Sequence, residues 1–425
     1  MAADSTEEAD LIAACVSAPA DNGPRLVYGD WLEERGDPRG ELMVVQCRLA
    51  ETSESDTSAA AKKLRATEKK LAKALEQQAA HMLAERLGYP KDFVGALQLR
   101  VDIERGFVTA IQAPADVLLR LDAAFEAAPL LCELRLAGIP PYDRMTELDA
   151  SYFESPLLAR LSRLSLGTLG NANELSKIIA RTPHLSNLRA FTFNGTTHSA
   201  VNGPQHILTA QGISALAASP HLTRLAHLTF EYDLLGDDGV RVIADGPWKL
   251  ESLSVPFNAT TGASFEALAR APNLAGLERL VLSHSLDVRP DQIAALVSSR
   301  HLSSLRSLDI EQCELGLPGL AAMLDALALP ALEELIAASN GFGEKGAELI
   351  ASSTKLSKLK TLDITKNQFN KKGIVALASG PGLAGIGKVL LNERDSADAR
   401  KALLESKTLA STIVYFRGKR VAKAS

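Results

Sequence analysis

The side chains that could carry out covalent or metal chemistry in this sequence are few and scattered. Cys313 could act as a nucleophile, but no histidine that could activate it stands near it in the sequence. His198 and His206 fall within one predicted loop, yet no cysteine or carboxylate accompanies them there to complete a metal site. The chain contains no GxxxxGKS/T loop, no GxSxG motif and no HExxH motif. We therefore predict no catalytic residue, no metal site and no cofactor, and a protein that is not an enzyme.

Charge gives no general argument for a polyanionic partner. The formal net charge is −5 over 425 residues, which is mild. The tail carries four basic residues without a surrounding aromatic platform, so a solvated tail is the expectation. These residues are Arg417, Lys419, Arg420 and Lys423. We expect no nucleic acid partner and no association with a membrane.

The element that must position any functional side chain is an internal repeat. One turn of it begins with Leu305, Leu308 and Ile310, and the same apolar pattern starts again 27 residues later and 27 residues after that. A glycine and an apolar helical segment follow each start. A fixed period of this kind predicts a solenoid of stacked strand–helix units, in which no single unit buries enough surface to fold alone.

The repeat extends over residues 131–395, with about ten turns. Their first apolar positions are residues 131, 161, 188, 225, 250, 277, 305, 332, 359 and 386. Eight residues after the first leucine, Asn can bond backbone groups where the chain turns; the residues predicted there are Asn258, Asn340 and Asn367, with Cys313 and Ser285 as substitutes. The earlier repeats lack this asparagine. In each helix an apolar face should be buried, as by Ala347, Leu349 and Ile350.

The alternation of strand side chains sends the residues two, four and six places after each first leucine away from the core. We take the polar and charged members of this row as candidate partner-binding residues. They include Glu133, Arg135, Arg163, His227, Glu231, Arg279, Asp309, Glu311, Glu334, Asp363 and Lys388. The row is of mixed charge and nearly free of aromatics, which weakens the case for a tight interface. A solvated face with a weak or absent partner is the alternative.

Two repeats are longer than the others and supply a second set of candidates. The repeat from Leu188 has about ten extra residues, and the repeat from Leu131 has three. Insertions in a solenoid map to loops, often near the binding side. The candidate loop residues are Tyr142, Tyr152, His198 and His206. Tolerated surface insertions without a partner are the alternative reading.

The N-terminal residues 1–50 are predicted to form a helical module, with Asp37 capping its third helix. The run PRLVYGDWLEERGDPRGELMVVQCRLA, residues 24–50, resembles the bacterial repeat-companion domain, with Gly29 where alanine is usual. The resemblance implies a companion of repeat arrays and carries no catalytic residues. Residues 51–92 should be a linker and long helix, 93–130 an N-terminal cap of the solenoid, and 396–425 a C-terminal cap and basic tail.

The repeats of residues 131–395 resemble leucine-rich repeats of the ribonuclease-inhibitor type. The resemblance implies an α/β leucine-rich-repeat solenoid, with a curved parallel sheet lined by helices, next to the small N-terminal helical module. It implies a non-catalytic protein-binding scaffold, regulatory or signalling in role, whose partner the sequence does not identify.

Two alternatives remain. A GTPase-activating regulator would use an exposed arginine such as Arg135, Arg144 or Arg163, although no motif surrounds them. An effector-like interaction protein of the ubiquitin-ligase type would need a reactive cysteine after the repeats, and none follows Cys313.

The remaining composition favours a monomer in the cytoplasm. The four cysteines show no CxxC spacing, which argues against a disulfide framework. The acidic start, residues 1–10, does not resemble a secretory signal, and no run of 18 or more apolar residues occurs.

Overall fold

The computed structural model describes residues 2–53, 56, 58–90, 94, 99–137, 148–167, 169–195, 207–391, 397–409, 412–416 and 419–420. These residues form fourteen α-helices and fourteen β-strands. They divide into two compact units. The first unit comprises Met1–Gly170 and Thr182–Leu188, and the second comprises Asn171–Arg181 and Arg189–Ser425.

The first unit begins with helices and continues into four strands. Its helices are α1 (Ala2–Ser17), α2 (Gly23–Glu34), α3 (Pro38–Ala50), α4 (Ala59–Arg86) and α5 (Leu121–Ala127). Its strands are β1 (Arg100–Glu104), β2 (Phe107–Pro114), β3 (Glu133–Ala137) and β4 (Arg163–Leu166). Strands β1 and β2 are antiparallel, whereas β2, β3 and β4 pair in parallel. The change of direction at β2 is where the parallel repeat begins.

The helices of the first unit share a core with its first strand pair. Tyr28 and Met43 are buried in one cluster with Phe107 of β2. The Gln46 side chain donates to the Ile103 carbonyl at 2.8 Å and accepts from the Gly106 N–H at 3.0 Å. The Asp37 side chain accepts from the N–H of Arg39 at the start of α3, which confirms the predicted cap. The assignment of residues 1–50 as a distinct module stays a prediction.

The second unit is a regular alternation of strand and helix. Its first eight strands are β5 (Ala190–Asn194), β6 (His227–Glu231), β7 (Ser252–Ser254), β8 (Arg279–Val281), β9 (Ser307–Asp309), β10 (Glu334–Ile336), β11 (Thr361–Asp363) and β12 (Lys388–Leu391). Two more, β13 (Ile413–Phe416) and β14 (Lys419–Arg420), end it. Its helices are α6 (Ala172–Arg181), α7 (Ala210–Ala217), α8 (Gly236–Ala244), α9 (Gly262–Ala269), α10 (Pro290–Val297), α11 (Gly316–Ala326), α12 (Gly343–Ser352), α13 (Lys371–Ser379) and α14 (Ala397–Glu405).

The strands of the second unit lie side by side in the order of the sequence. Each strand from β5 to β12 pairs with the next in parallel, and equivalent leucines align, as Leu308, Leu335 and Leu362 do. Every strand from β3 to β12 begins two residues after a predicted first apolar position. The predicted repeat register is therefore confirmed. Strand β13 continues the parallel order at the C-terminal end, and β14 turns back antiparallel.

Buried asparagines bind neighbouring repeats together at the turn after each strand. The Asn340 side-chain nitrogen donates to the carbonyls of Ile310 and Ala338, at 2.8 and 3.0 Å. Its oxygen accepts from the N–H groups of Cys313 and Leu315, at 3.0 and 3.3 Å. One amide thus bonds four backbone groups in the core, of which the Ala338 carbonyl also accepts from the Gln312 N–H at 2.9 Å.

The asparagine ladder continues into the neighbouring repeats. Asn367 accepts from the Asn340 N–H at 2.9 Å and donates to the carbonyl of Ala337 at 2.9 Å. Cys313 and Ser285 occupy the same place in earlier repeats, and both donate to the Leu282 carbonyl. The predicted structural role of these positions is confirmed.

The helices bury a narrower apolar face than the sequence predicts. Ala347 and Ile350 of α12 are buried, but Leu349 is 36% exposed, so its predicted burial is wrong. Two residues correspond to roughly 200° around a helix, which places Leu349 opposite Ala347. Gly373 permits close helix packing, since an added Cβ would lie 2.9 Å from the Ala347 Cβ. No helix in the described part of the chain is both long enough and apolar enough to span a lipid bilayer.

Candidate functional site

The predicted outward residues point away from the core. In strands such as β9, β10 and β11 the central leucine is buried and its two neighbours are half-buried. The second unit therefore has one face formed by the outward side chains of β6 to β12 and of Glu311, which lies two places after β9. This open face carries His227, Glu231, Arg279, Asp309, Glu311, Glu334, Asp363 and Lys388. The structure brings these eight candidates onto one surface.

The other candidates lie elsewhere. Glu133, Arg135 and Arg163 are in the first unit, and Tyr152 is half-buried in a short 3-10 helix there, Ala150–Phe153. Tyr142, His198, His206 and the alternative Arg144 fall outside the described residues.

The charged candidates of the first unit neutralise one another. Arg135 forms ion pairs with Glu133 and, at 2.7 Å, with Asp102. Arg163 pairs with Glu133 at 2.7 Å and with Glu104 at 3.8 Å. A partner would have to disrupt these pairs, so this network offers less electrostatic attraction than unpaired charges would.

Acidic side chains dominate the last part of the open face. Asp309, Glu311, Glu334 and Asp363, here called the acidic band, come from three consecutive repeats. Burial, together with the nearby carboxylates of Glu311 and Asp363, raises the pKa of Asp309. The Lys366 ammonium lies 3.4 Å from Glu311, and the Ser307 hydroxyl donates to Glu334 at 2.6 Å. The four carboxylates of the band therefore stand at positions set by the strand backbones, and they outnumber the cations that pair with them.

The residues on either side of the acidic band are cationic. Arg279 on β8 is exposed, and its positive charge offsets part of the rise in the pKa of Asp309. The Lys388 ammonium on β12 lies 5.3 Å from the centre of the Tyr415 ring, a cation–π contact with the C-terminal cap. Four carboxylates thus lie between two cationic positions on consecutive strands.

An aromatic row lies at the rim of the open face, one residue after the sixth place. Tyr232 stacks on Phe257 with ring centroids 4.4 Å apart, and Phe257 stacks on His284 at 3.6 Å. All three have positive φ angles, between 56° and 63°. A left-handed conformation costs a residue with a side chain roughly 1–2 kcal/mol, and glycine much less. These rings lie one place beyond the row of residues that the sequence predicts to be nearly free of aromatics.

The aromatic row could have been found from the repeat register. The residue seven places after the first leucine has positive φ in six consecutive repeats, and it precedes the ladder position each time. Listing that position alone would have placed Tyr232, Phe257 and His284 in one line. The alternation of strand side chains does not apply there, because the backbone has already turned.

Asp233 occupies the ladder position of the repeat that begins at Leu225. Its Oδ1 accepts from the Leu208 N–H at 3.0 Å, and the backbone of Gly195 also hydrogen bonds to the carboxyl group. Its Oδ2 is buried and has no hydrogen-bond partner among the described residues. Burial raises the pKa of Asp233 from its ordinary value of 3.8 to about 7. Gly195 and Leu208 both lie within the predicted insertion, residues 194–212, so this acid links two points of that segment.

The four cysteine thiols lie in settings that disfavour the reactive thiolate. Burial raises the pKa of the Cys313 thiol to about 12, so the nucleophilic thiolate is negligible at neutral pH. Burial likewise raises the pKa of Cys15, Cys47 and Cys132. Within the described ranges, no group of three or more His, Cys, Asp or Glu side chains could hold a metal ion.

A match to a known family model supports the repeat assignment. Two stretches, residues 301–324 and 355–378, match the family model described as Leucine Rich repeat. The chain is also similar to one chain of the crystal structure of the Rad7 and Elc1 complex in yeast. The two are 15% identical with a TM-score of 0.40, and the alignment covers 84% of this chain and 91% of that chain. No curated protein matches the chain. The matched stretches and the ordered parallel strands together give the architecture: an α/β leucine-rich-repeat solenoid.

Proposed function

We propose that this protein is a non-catalytic protein-binding scaffold whose open face holds the partner. The observation that carries the proposal is the acidic band, in which four carboxylates of three consecutive repeats share one uncovered surface. Parallel strands in register fix the spacing of Asp309 and Asp363, whose residues align through Ile336. Because these side chains are already held in place, less conformational entropy is lost when a partner binds. Many individually weak contacts can then add up to a useful affinity.

The charge of this face indicates the kind of partner. Clustered carboxylates repel phosphates and attract a surface rich in lysine and arginine. A basic protein surface is therefore the partner we propose, and nucleic acid is disfavoured. We further propose that the scaffold has a regulatory or signalling role, in which capture of the partner is itself the activity.

Neutralising the acidic band should reduce partner recovery at least about tenfold, or about 1.4 kcal/mol, because each removed charge weakens attraction to a basic surface. The variant is Asp309→Asn, Glu311→Gln and Asp363→Asn. These changes keep the oxygens that accept from the Glu311 and Thr365 N–H groups, so the local turns are preserved. The measurement is quantitative affinity capture from the native lysate with wild-type and variant chains as bait.

The matched control neutralises three exposed helix carboxylates by Asp325→Asn, Glu348→Gln and Glu405→Gln. It alters net charge equally but leaves the open face intact. We expect the control to recover the wild-type set of proteins. Equal recovery by the band variant and the control would show that the acidic band is not the binding site.

A further inference from the structure

Exposed apolar side chains cluster at the rim in three consecutive repeats. Leu234, Phe257, Ala259 and Leu286 are exposed and apolar, and the half-buried rings of Tyr232 and His284 lie among them; the six residues are here called the rim patch. Leu234 is 52% exposed, Phe257 36% and Leu286 49%. In the three repeats that follow, the same two places hold Gln312 and Glu314, Ser339 and Gly341, and Lys366 and Gln368. The turn itself therefore does not require apolar residues, and their presence in only three repeats needs another reason.

The backbone conformation at Tyr232, Phe257 and His284 disfavours large side chains, so the rings there are unexpected. Tyr232, Phe257 and His284 adopt the left-handed conformation that glycine adopts most easily. Their rings stack in one continuous row, with interplanar angles of 16° and 24°. Exposed contiguous apolar surface of this kind marks interaction sites on soluble proteins. A rigid aromatic row is well suited to receive a planar or aliphatic anchor.

The charges beside the rim patch restrict what can occupy it. Glu231 directly precedes Tyr232, and Glu311 lies close enough to His284 to influence its ring electrostatically. The acidic band continues from Glu311 across the next two repeats. Stacked rings can also bind nucleobases, but these carboxylates would repel the phosphates that accompany them. The complementary ligand is apolar at its centre and cationic at its flanks.

We propose that the rim patch and the neighbouring carboxylates bind a protein segment with an aromatic or large aliphatic anchor flanked by lysine or arginine. The anchor packs on the Phe257 ring and the exposed Leu234 and Leu286 side chains. The flanking cations pair with Glu231 and Glu311. This inference rests on the proposed scaffold function and specifies the partner segment that the open face selects.

The test is selection of random twelve-residue peptides displayed on phage, with the full-length chain as target. The variant is Phe257→Ser with Leu286→Gln, which copies Ser339 and Gln368 from later repeats. The control is Leu349→Gln, because Leu349 on α12 has the same exposed fraction as Phe257 but lies away from the rim. Circular dichroism and thermal unfolding establish that each variant is folded. Affinities of selected peptides are then measured by fluorescence anisotropy.

We expect enriched peptides to contain an aromatic or large aliphatic residue with lysine or arginine within three positions. They should bind the rim variant at least tenfold more weakly and the Leu349→Gln control as tightly as wild type. The proposal is overturned by no enrichment, by acidic consensus peptides, or by equal binding to the rim variant. A concentration-dependent dimer that the rim variant abolishes, seen by light scattering, would also overturn it, since a second copy would then cover the patch.

The failure of this inference can be told apart from failure of the scaffold function. If neutralising the acidic band abolishes partner capture but the rim variant changes neither capture nor peptide binding, the scaffold function stands and the rim assignment fails. If neither variant changes capture from the lysate, both fail.

Discussion

Replacing Asn340 with alanine should lower the free energy of unfolding by about 3–5 kcal/mol, because each buried backbone group that loses its partner costs about 1–3 kcal/mol. Asn340 bonds two carbonyls and two N–H groups from its own and the preceding repeat, and of these four groups the Ala338 carbonyl has a second partner, the Gln312 N–H. Alanine can satisfy none of them, and water has no access to this core position. Local relaxation of the turn should offset part of this loss of stability.

The measurement is urea unfolding followed by circular dichroism, with hydrogen exchange to locate the loss. Repeat arrays couple mainly to their nearest neighbours, so the faster exchange should appear first in the repeats from Leu305 and Leu332. Asn370→Ala is the matched control. That side chain caps α13 by accepting from the Gly373 N–H and also donates to the Glu344 carboxylate, and its loss should cost about 1 kcal/mol. Equal losses for the two variants would contradict the role assigned to the ladder.

Replacing Asp233 with asparagine should stabilise the protein, and the gain should depend on pH. The native state raises the pKa of Asp233 from 3.8 to about 7, so it holds a proton that the unfolded chain releases. This proton uptake makes its full contribution to stability below the pKa of Asp233 in the unfolded chain. The contribution is lost as the pH rises through about 7, the pKa in the folded protein. Asparagine is neutral at every pH, keeps an oxygen for the Leu208 N–H, and places a donor where Oδ2 has no partner.

The advantage of Asp233→Asn should be small near pH 4 and grow to about 2–4 kcal/mol above pH 7, because one pKa unit corresponds to about 1.4 kcal/mol. Thermal and urea unfolding across this pH range measure it. Asp238→Asn, an exposed carboxylate in the same repeat, is the control and should show a small difference that changes little with pH. A pH-independent difference, or destabilisation by Asp233→Asn at neutral pH, would contradict the buried neutral acid.

The fold could be predicted from the sequence because its strongest signal is a spacing. Leucines such as Leu305, Leu332 and Leu359 recur at a fixed interval, and only stacked strand–helix units can bury all of them. The ladder followed from the same register, including Cys313 and Ser285 as substitutes. The ribonuclease-inhibitor type of the repeats and the companion module of residues 1–50 stay predictions.

The candidate site was harder to predict because its partners are distant in sequence. The outward direction of Asp309 and Asp363 followed from strand alternation, but the ring stack of Tyr232, Phe257 and His284 depends on a turn that alternation does not describe. Repeats of unequal length hid that alignment further. The pairing of Arg135 and Arg163 with carboxylates depends on β1, which lies outside the repeat pattern. Asp233 was missed because only asparagine, cysteine and serine were considered at the ladder position.

The central claim is that the open face of the second unit, and not its helical side, contacts the partner. The most direct measurement places a photo-crosslinking p-benzoylphenylalanine at Thr361 on β11, beside the acidic band, or at Glu348 on α12, and analyses the captured complexes by mass spectrometry. We predict crosslinked partner peptides from position 361 and none from position 348. Crosslinks from position 348 without any from position 361 would contradict the account.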